Sequence, residues 1–248
     1  MDKTYVLDQI FKRVKVHPSA AVLDVGCGDG KTLVFLKERY QLTGELTGID
    51  KRDKNFISSV EQKEKGIRLM QMDASQTLLF PDESFNVIIH KDTLECIPDI
   101  GGHIHELARV LKPGGTVVCV HRDWESIVSN GRNKDLINKA IHGYANFLQA
   151  GWMDSCDGWI GRRLWGYFNK TGLFDGEICC YNEIETKYEP GYRGFHYWQE
   201  MNHFIEPKGF LTKEEYGELI EDMEETWKNG TYIFASPFYF YIGKKRGS

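Results

Sequence analysis

The chain has 248 residues, of which 41% are hydrophobic and 27% charged, a size that suits one sizeable domain or a core domain with a lid. Its formal net charge of −5 at pH 7 provides no basic surface, so neither nucleic acid nor an anionic membrane is expected as a partner. The N-terminal segment lacks the apolar core of a signal peptide, and no apolar run approaches the roughly 18 residues that cross a bilayer. We therefore expect a cytoplasmic protein.

Short apolar segments alternate with amphipathic segments in the first half of the chain. Strands are predicted at residues 21–25, 46–50, 67–72, 85–89 and 116–120. Helices are predicted at residues 31–40, from after residue 50 through 65, and at 100–111. Strands that alternate with helices are typical of a mainly parallel, doubly wound α/β sheet.

The second half of the chain has a different composition. Residues 124–175 are predicted to be helical and rich in aromatic side chains, and a strand is predicted near 177–188. The capping box Thr212-Lys-Glu-Glu215 predicts the start of an acidic helix that ends near Asn229. A strand at 232–242 follows. We expect a single domain over 1–248, with an N-terminal helix within 1–20.

Residues that commonly hold metals are scattered. The six cysteines include no CxxC pair, so neither a disulfide framework nor a zinc site is indicated. His103 and His105 are two residues apart on a predicted helix and point away from each other, so we expect both on a solvated face. Cys179 and Cys180 are adjacent on a predicted strand and point to opposite faces. No metal is predicted.

The glycine-rich segment VLDVGCGDGKT (22–32) is the strongest local motif. A nucleotide phosphate loop requires glycine where Val25 stands, and a dinucleotide-binding loop requires glycine where Lys31 stands. S-adenosylmethionine has no phosphate and carries a sulfonium and an amino group. An acidic, glycine-lined turn suits that ligand, because Gly26 and Gly28 allow close approach of the backbone and Asp24 supplies negative charge.

Further polar residues follow the next three predicted strands. Asp50 comes about 20 residues after the loop, where a carboxylate can accept hydrogen bonds from both ribose hydroxyls. Asp73 ends the third strand and can accept from an adenine amino group. His90 and Asp92 end the fourth strand, at the carboxyl edge where such sheets bind ligands.

These segments together resemble the class I S-adenosylmethionine-dependent methyltransferases, specifically the ubiquinone/menaquinone-like small-molecule group. The matching segments are VLDVGCGDG, Gly48-Ile-Asp50, Met72-Asp-Ala-Ser75, Phe80 to Ile89 and Leu107 to Gly115. The resemblance implies a seven-stranded Rossmann-like sheet with the cofactor at the carboxyl ends of its first strands. It also implies a helical, aromatic-rich lid over 124–175, inserted after the fifth strand, and a second connection over 189–230 that contributes to the acceptor side.

The expected contacts with S-adenosylmethionine are Asp24, Gly26, Cys27, Gly28, Asp50, Lys51, Asp73, Ala74 and His90. Cys27 is expected as the variable residue between two glycines and not as a nucleophile. The candidate bases are His121, Asp92 and Asp123. His121 comes first among them, because an imidazole titrates near neutral pH.

The candidate acceptor-binding residues are Trp124, Trp152, Asp154, Trp159, Arg163, Tyr192 and Tyr197. Aromatic residues at helical spacing also suit the core of a lid. Acidic residues among tryptophans favour a cationic amine, whereas the arginines favour an anionic acceptor or plain surface charge. The sequence leaves these alternatives open.

The predicted function is methyl transfer from S-adenosylmethionine to the nitrogen or oxygen of a small molecule, by in-line displacement in a lidded pocket. One alternative is a regulatory module that binds the cofactor without catalysis. Another is an NAD(P)-dependent oxidoreductase.

Overall fold

The computed structural model describes residues 4–52, 66–147, 157–203, 205 and 209–247. Two compact units can be distinguished within the chain. The first, here called the sheet unit, comprises Asp2–His121, Arg163–Cys179 and Tyr239–Ser248. The second, here called the aromatic unit, comprises Arg122–Arg162 and Cys180–Phe238.

The described ranges contain eight strands and seven α-helices. The strands are β1 (Val22–Val25), β2 (Leu46–Asp50), β3 (Ile67–Gln71), β4 (Phe85–Lys91), β5 (Leu111–Arg122), β6 (Val128–Ser129), β7 (Phe174–Glu185) and β8 (Phe234–Lys245). The helices are α1 (Thr4–Phe11), α2 (Lys31–Tyr40), α3 (Ile100–Val110), α4 (Lys134–Phe147), α5 (Ile160–Thr171), α6 (Arg193–Glu200) and α7 (Lys213–Lys228). Most of the helix predicted to end at residue 65 lies outside the described residues.

The strands are ordered β3-β2-β1-β4-β5-β8-β6, and β7 pairs with β8. Strands β1 to β5 pair in parallel, and β6 pairs antiparallel with β8. The chain leaves β1 towards β2 and β3, then returns to place β4 on the other side of β1. This confirms the mainly parallel, doubly wound sheet, with eight strands where seven were expected, because the two-residue β6 adds one.

Strand β5 begins earlier than predicted. Phe85 of β4 pairs with Leu111, and Val87 pairs with Thr116, so the register shifts between these two pairs. Residues 112–115, predicted as a turn between α3 and the strand, are therefore an irregularity inside β5. The segment from Phe85 to Val87 of β4 lies opposite the longer segment from Leu111 to Thr116 of β5. The apolar pattern that starts at residue 116 gives no sign of this earlier part of β5.

Helix α3 has one buried face and one exposed face. Leu107 and Val110 are buried on the face that also carries His103, since residues at i, i+4 and i+7 share a face. The prediction of a solvated His103 is therefore wrong, because its position on the helix places it with the apolar residues. His105 is exposed, as predicted.

The aromatic unit has its own core. Its larger buried side chains are Trp124, Ile137, Ile141, Tyr144, Tyr188, Tyr197, Trp198, Leu219, Met223 and Phe234. The predicted capping box is confirmed, because Thr212 Oγ1 accepts from the Glu215 amide and the Glu215 carboxylate accepts from the Thr212 amide. Among the described residues, no helix is both long and apolar enough to span a membrane.

Candidate functional site

The predicted cofactor residues of the sheet unit meet at the carboxyl ends of β1, β2 and β4. Val25 pairs with Ile49 of β2 on one side and with His90 of β4 on the other. The chain order reverses between β1 and β4, and open α/β sheets bind ligands at such a switch point. The fold therefore places the glycine loop where a ligand site is expected.

The glycine loop turns back directly after β1. The amides of Gly26 and Cys27 both donate to the Ile49 carbonyl, at 2.8 and 2.9 Å. Gly26 has a φ of 73°, and a β-carbon there would lie 2.0 Å from Thr93 Oγ1. Only glycine fits this position, because both the left-handed backbone and the contact with Thr93 exclude a side chain.

Asp24 is a buried carboxylate near the end of β1, with 2% of its surface exposed. Among the described residues, none donates a hydrogen bond to this carboxylate. Burial raises the pKa of Asp24 to about 7; the charge of Lys91 opposes this rise and that of Asp50 adds to it. A buried carboxylate without a donor is costly, so the group suits a cationic ligand.

Asp50 connects the end of β2 to the glycine loop. Its Oδ2 accepts from the Gly28 amide at 2.9 Å, and its Oδ1 accepts from the Arg52 amide at 2.9 Å. Each carboxylate oxygen has a further lone pair, so Asp50 can hold the loop and still accept from a ligand hydroxyl.

Asp73 follows β3 and is held by three groups. Its Oδ1 accepts from the Ser75 amide and hydroxyl, at 2.9 and 2.7 Å, and its Oδ2 lies 3.1 Å from Lys51 Nζ. Burial alone would raise the pKa of Asp73, but the bonds from Ser75 and the Lys51 ammonium outweigh it and lower the pKa. Asp73 is therefore an ionised acceptor, and Lys51 acts as its ion-pair partner. Ala74 lines a neighbouring cavity of about 190 Å³.

Three buried imidazoles lie side by side behind the loop. His90 Nε2 and His103 Nε2 are 3.0 Å apart, and the ring centroids of His90 and His121 are 6.4 Å apart. Burial lowers the pKa of His90 well below its usual value and that of His103 to about 4. Both rings are therefore neutral, which lets one donate to the other.

His121 is held by the backbone that follows β4. Its Nε2 accepts from the amides of Thr93 and Leu94, at 3.3 and 3.0 Å, so the lone pair of this nitrogen is already engaged. The nearest ligand atoms of His90, Cys119 and His121 lie within 4.8 Å of one another. Both imidazoles of this group already have hydrogen-bond partners, His90 in His103 and His121 in the backbone amides, so their burial is explained without a metal.

The other two candidate bases differ in their surroundings. Asp92 is half-buried with a φ of 50°, and its carboxylate lies 2.6 Å from Lys91 Nζ. A non-glycine residue in this backbone region often marks a functional position. Asp123 is fully buried in the aromatic unit, where Arg162 Nε donates to it at 2.6 Å and Ser126 Oγ at 2.9 Å. These contacts make Asp123 an ion-pair partner of Arg162.

The predicted acceptor residues separate into three groups. Trp124, Trp159, Tyr192 and Tyr197 lie in the aromatic unit, and Arg163 lies on the part of α5 assigned to the sheet unit. Trp152 and Asp154 lie outside the described residues. Trp124 and Tyr197 are stacked, with ring centroids 6.3 Å apart and planes 7° apart. Trp159 instead packs against the Arg162 guanidinium, 4.7 Å from its ring centroid.

Two residues near this stack were missed by the sequence reasoning. The Arg193 guanidinium lies 5.3 Å from the Trp124 ring centroid, and the Arg122 guanidinium lies 6.0 Å from it. Arg193 precedes Tyr197 by four residues on α6, in the segment RGFHYW. This i, i+4 spacing places both side chains on one face of a helix, so the sequence could have indicated that Arg193 lies near Tyr197.

Comparison with known proteins identifies the first part of the chain. Residues 23–119 match a family model described as "Methyltransferase domain". A demethylmenaquinone methyltransferase of Bacillus licheniformis is 37% identical over 116 residues, which cover 46% of this chain and 49% of that protein. Its counterpart in Oceanobacillus iheyensis is 31% identical over 121 residues, 47% of this chain and 50% of that protein. The chain thus spans about half the length of the curated relatives it matches.

Solved structures resemble the whole fold at low sequence identity. A putative methyltransferase from Bacillus halodurans superposes with a TM-score of 0.65 at 17% identity, over 97% of this chain and 99% of that one. Phosphoethanolamine N-methyltransferase 2 of Haemonchus contortus, in complex with S-adenosyl-L-methionine, gives 0.58 at 19% identity, over 98% of this chain and 53% of that one. The solved structures bear on the fold, and the family match together with the curated relatives confirms the predicted resemblance to the class I S-adenosylmethionine-dependent methyltransferases over residues 23–119, which match a methyltransferase domain.

Proposed function

We propose that this protein transfers a methyl group from S-adenosylmethionine to a small molecule. The observation that carries the proposal is the buried carboxylate of Asp24. It lies beside a glycine loop that lacks a glycine required by nucleotide phosphate loops and one required by dinucleotide-binding loops. A ligand that brings an ammonium group to this point would supply the missing partner. NAD(P), whose phosphates are anionic, would meet repulsion from the same carboxylate.

The remaining carboxylates support a defined orientation of the cofactor. We assign the methionine end to Asp24, the two ribose hydroxyls to Asp50 and the adenine amino group to Asp73. Gly26 and Gly28 would face the ligand with their backbone, and Cys27, Lys51, Ala74 and His90 would complete the walls. Asp73 suits a donor such as an amino group, since its lowered pKa keeps it ionised.

For the chemical step, we propose in-line attack by a nitrogen or oxygen nucleophile held about 3 Å from the methyl carbon. The acceptor would lose its proton before or during transfer. Among the three candidate bases we favour Asp92, because it is half-buried directly after β4 with a left-handed backbone, whereas His121 and Asp123 are fully buried. We further propose that residues 124–175 act as a lid and that residues 189–230 contribute to the acceptor side. The curated relatives match only about half of this chain. The molecules that those relatives methylate are therefore not assigned to this protein.

The first test is calorimetry of the purified full chain with S-adenosylmethionine, S-adenosylhomocysteine and NAD. We expect both adenosylated ligands to bind and NAD not to bind; tight binding of NAD would refute the proposal in favour of an oxidoreductase. The second test incubates the protein with tritiated S-adenosylmethionine and a metabolite extract. Cofactor binding without transfer to any extracted compound would indicate the regulatory module instead.

A further inference from the structure

The surroundings of Trp124 in the aromatic unit contain more donors than acceptors. The indole is buried, with Tyr197 stacked on it and Tyr144 at 5.7 Å between ring centroids. The guanidinium groups of Arg193 and Arg122 approach the same indole at 5.3 and 6.0 Å. Two guanidinium groups and two phenol rings therefore surround one indole.

Two of these donors are buried without a hydrogen-bond acceptor among the described residues. They are Nε of Arg193 and the hydroxyl of Tyr197, a residue with 0% of its surface exposed. Arg193 and Tyr197 share one face of α6, being four residues apart, and the Arg193 charge acts on the Tyr197 hydroxyl. A buried donor without an acceptor is costly, so such groups usually mark a place that a ligand or water fills.

The neighbouring carboxylates are already engaged. Glu183 is 3.3 Å from Arg122. Glu185 accepts from the backbone amides of Arg193 and Gly194, at 3.0 and 2.8 Å, and so caps the start of α6. Glu200 accepts from the Tyr144 hydroxyl at 3.3 Å. Within the described part of the chain, the Arg193 guanidinium makes no ion pair with a carboxylate.

We propose that Arg193 and Tyr197 form an oxyanion-binding site beside Trp124, and that it recognises a carboxylate or phosphate group on a planar organic acid. The guanidinium fork can donate two parallel hydrogen bonds to such a group, the phenol can donate a third, and the aromatic surroundings suit a planar acid. Resting on the proposed function, we further infer that this acid is the methyl acceptor. Under this proposal the acceptor is anionic, because a cationic amine would be repelled by Arg193.

We would titrate the full chain with four small aromatic probes of similar shape. Binding of each probe would be measured by tryptophan fluorescence and by calorimetry. Benzoate and phenyl phosphate carry the oxyanion, benzamide is neutral, and benzylamine is cationic. We expect one or both anions to bind, and the preferred one identifies the group as a carboxylate or a phosphate. Binding of benzamide as tight as that of benzoate, tighter binding of benzylamine, or no binding of either anion would overturn the proposal.

Variants connect the binding to the named residues. Arg193→Gln and Tyr197→Phe should each weaken binding of the preferred anion, the first by at least about tenfold, since hydrogen bonds to charged groups are the strong ones. Arg193→Lys keeps the positive charge but loses the two parallel donors, so it should weaken anion binding by an intermediate amount. This variant also serves as the test if Arg193→Gln does not fold. Arg68→Gln removes an exposed guanidinium of the sheet unit and should change nothing. Unchanged anion binding in Arg193→Lys and Tyr197→Phe would also refute the site.

The two proposals fail in different ways. Binding of S-adenosylmethionine should be the same in wild type and in all these variants, whereas absence of cofactor binding in the wild type would refute the proposed function and leave the oxyanion site standing. If the acid is the acceptor, anion-exchange fractionation of the metabolite extract should place the methyl-accepting compound in the retained, acidic fraction. Its recovery in the neutral or basic fraction would contradict an acidic acceptor.

Discussion

Asp50 accepts a hydrogen bond from the Gly28 amide at 2.9 Å, so the end of β2 holds the loop that follows β1. One carboxylate thus fixes the glycine loop and is the proposed partner of the ribose hydroxyls. We expect Asp50→Asn to weaken binding of S-adenosylmethionine by about tenfold or more, because hydrogen bonds to an ionised acceptor are worth about 1.5–3 kcal/mol. Calorimetry measures this, and Glu45→Gln, which removes an exposed carboxylate just before β2, is the matched control.

The pH dependence of cofactor binding should report on Asp24. Burial raises the pKa of this carboxyl to about 7, so below that pH it is neutral and offers no charge to an ammonium group. We expect affinity for S-adenosylmethionine to rise with pH through about 7 and then level off. In Asp24→Asn binding should be weaker and this rise absent. A rise that persists in the variant would assign the titration to another group.

The stability of the protein without cofactor should respond to Asp24 in the opposite sense. A carboxyl whose pKa is higher in the folded than in the unfolded state destabilises the fold as pH rises from about 4 to 7, and the full penalty is present above 7. Asp24→Asn should therefore raise the free energy of unfolding at pH 8, by up to about 4 kcal/mol, and less at pH 5. Urea unfolding at both pH values tests this, and an equal gain at both would contradict the assigned cause.

Two glycines with similar backbone angles offer a controlled comparison. Gly26 has a φ of 73° and would place a β-carbon against Thr93, whereas Gly66 has a φ of 69° with nothing within 4 Å. Alanine at either position should cost about 1–2 kcal/mol for the left-handed backbone. Gly26→Ala should cost a further 1–3 kcal/mol, roughly, from overpacking. Chemical unfolding gives the difference; equal costs would mean that the loop moves away from Thr93 easily.

We expect the Asp123–Arg162 ion pair to stabilise the fold. Asp123 is fully buried and Arg162 donates to both of its carboxylate oxygens. We expect Arg162→Gln to lower the free energy of unfolding by about 3 kcal/mol, because it leaves a buried charge without its partner. Arg39→Gln, which breaks a pair with Asp8 at a more exposed site, should cost under about 1 kcal/mol. A cost equally small for Arg162→Gln would reopen Asp123 as a base.

The strand ends that carry the proposed cofactor residues could be predicted from the sequence, because each is marked by residues next to it in the chain. The glycines of the loop follow β1, Asp50 ends β2 and Asp73 follows β3, and the parallel sheet brings these strand ends together. His103 shows where local signals stop. Its burial depends on which side of α3 meets the sheet and on His90 being there to share a hydrogen bond.

The acceptor side could not be predicted in the same way. Trp124 and Tyr197 are 73 residues apart in the sequence, and only the fold stacks them. Helical spacing of aromatic residues is the same whether they form a core or face a ligand. Trp124, Tyr144 and Tyr197 pack in the core of the aromatic unit, and only the structure shows that the Tyr197 hydroxyl has no acceptor there among the described residues. The two-residue β6 is too short to give a sequence pattern at all.

The thiol of Cys27 lies in the loop that would hold the cofactor, so its reactivity towards a methyl donor matters. Burial raises the pKa of this thiol, and the charges of Asp24 and Asp50 add to the effect. Its side chain packs where Gly48 leaves room for it. A methylsulfonium is an alkylating agent, and thiolates, not thiols, are the nucleophiles it would alkylate. If the chain binds S-adenosylmethionine as proposed, the acidic loop that attracts the cofactor would also keep this thiol protonated and so unreactive towards the methyl group.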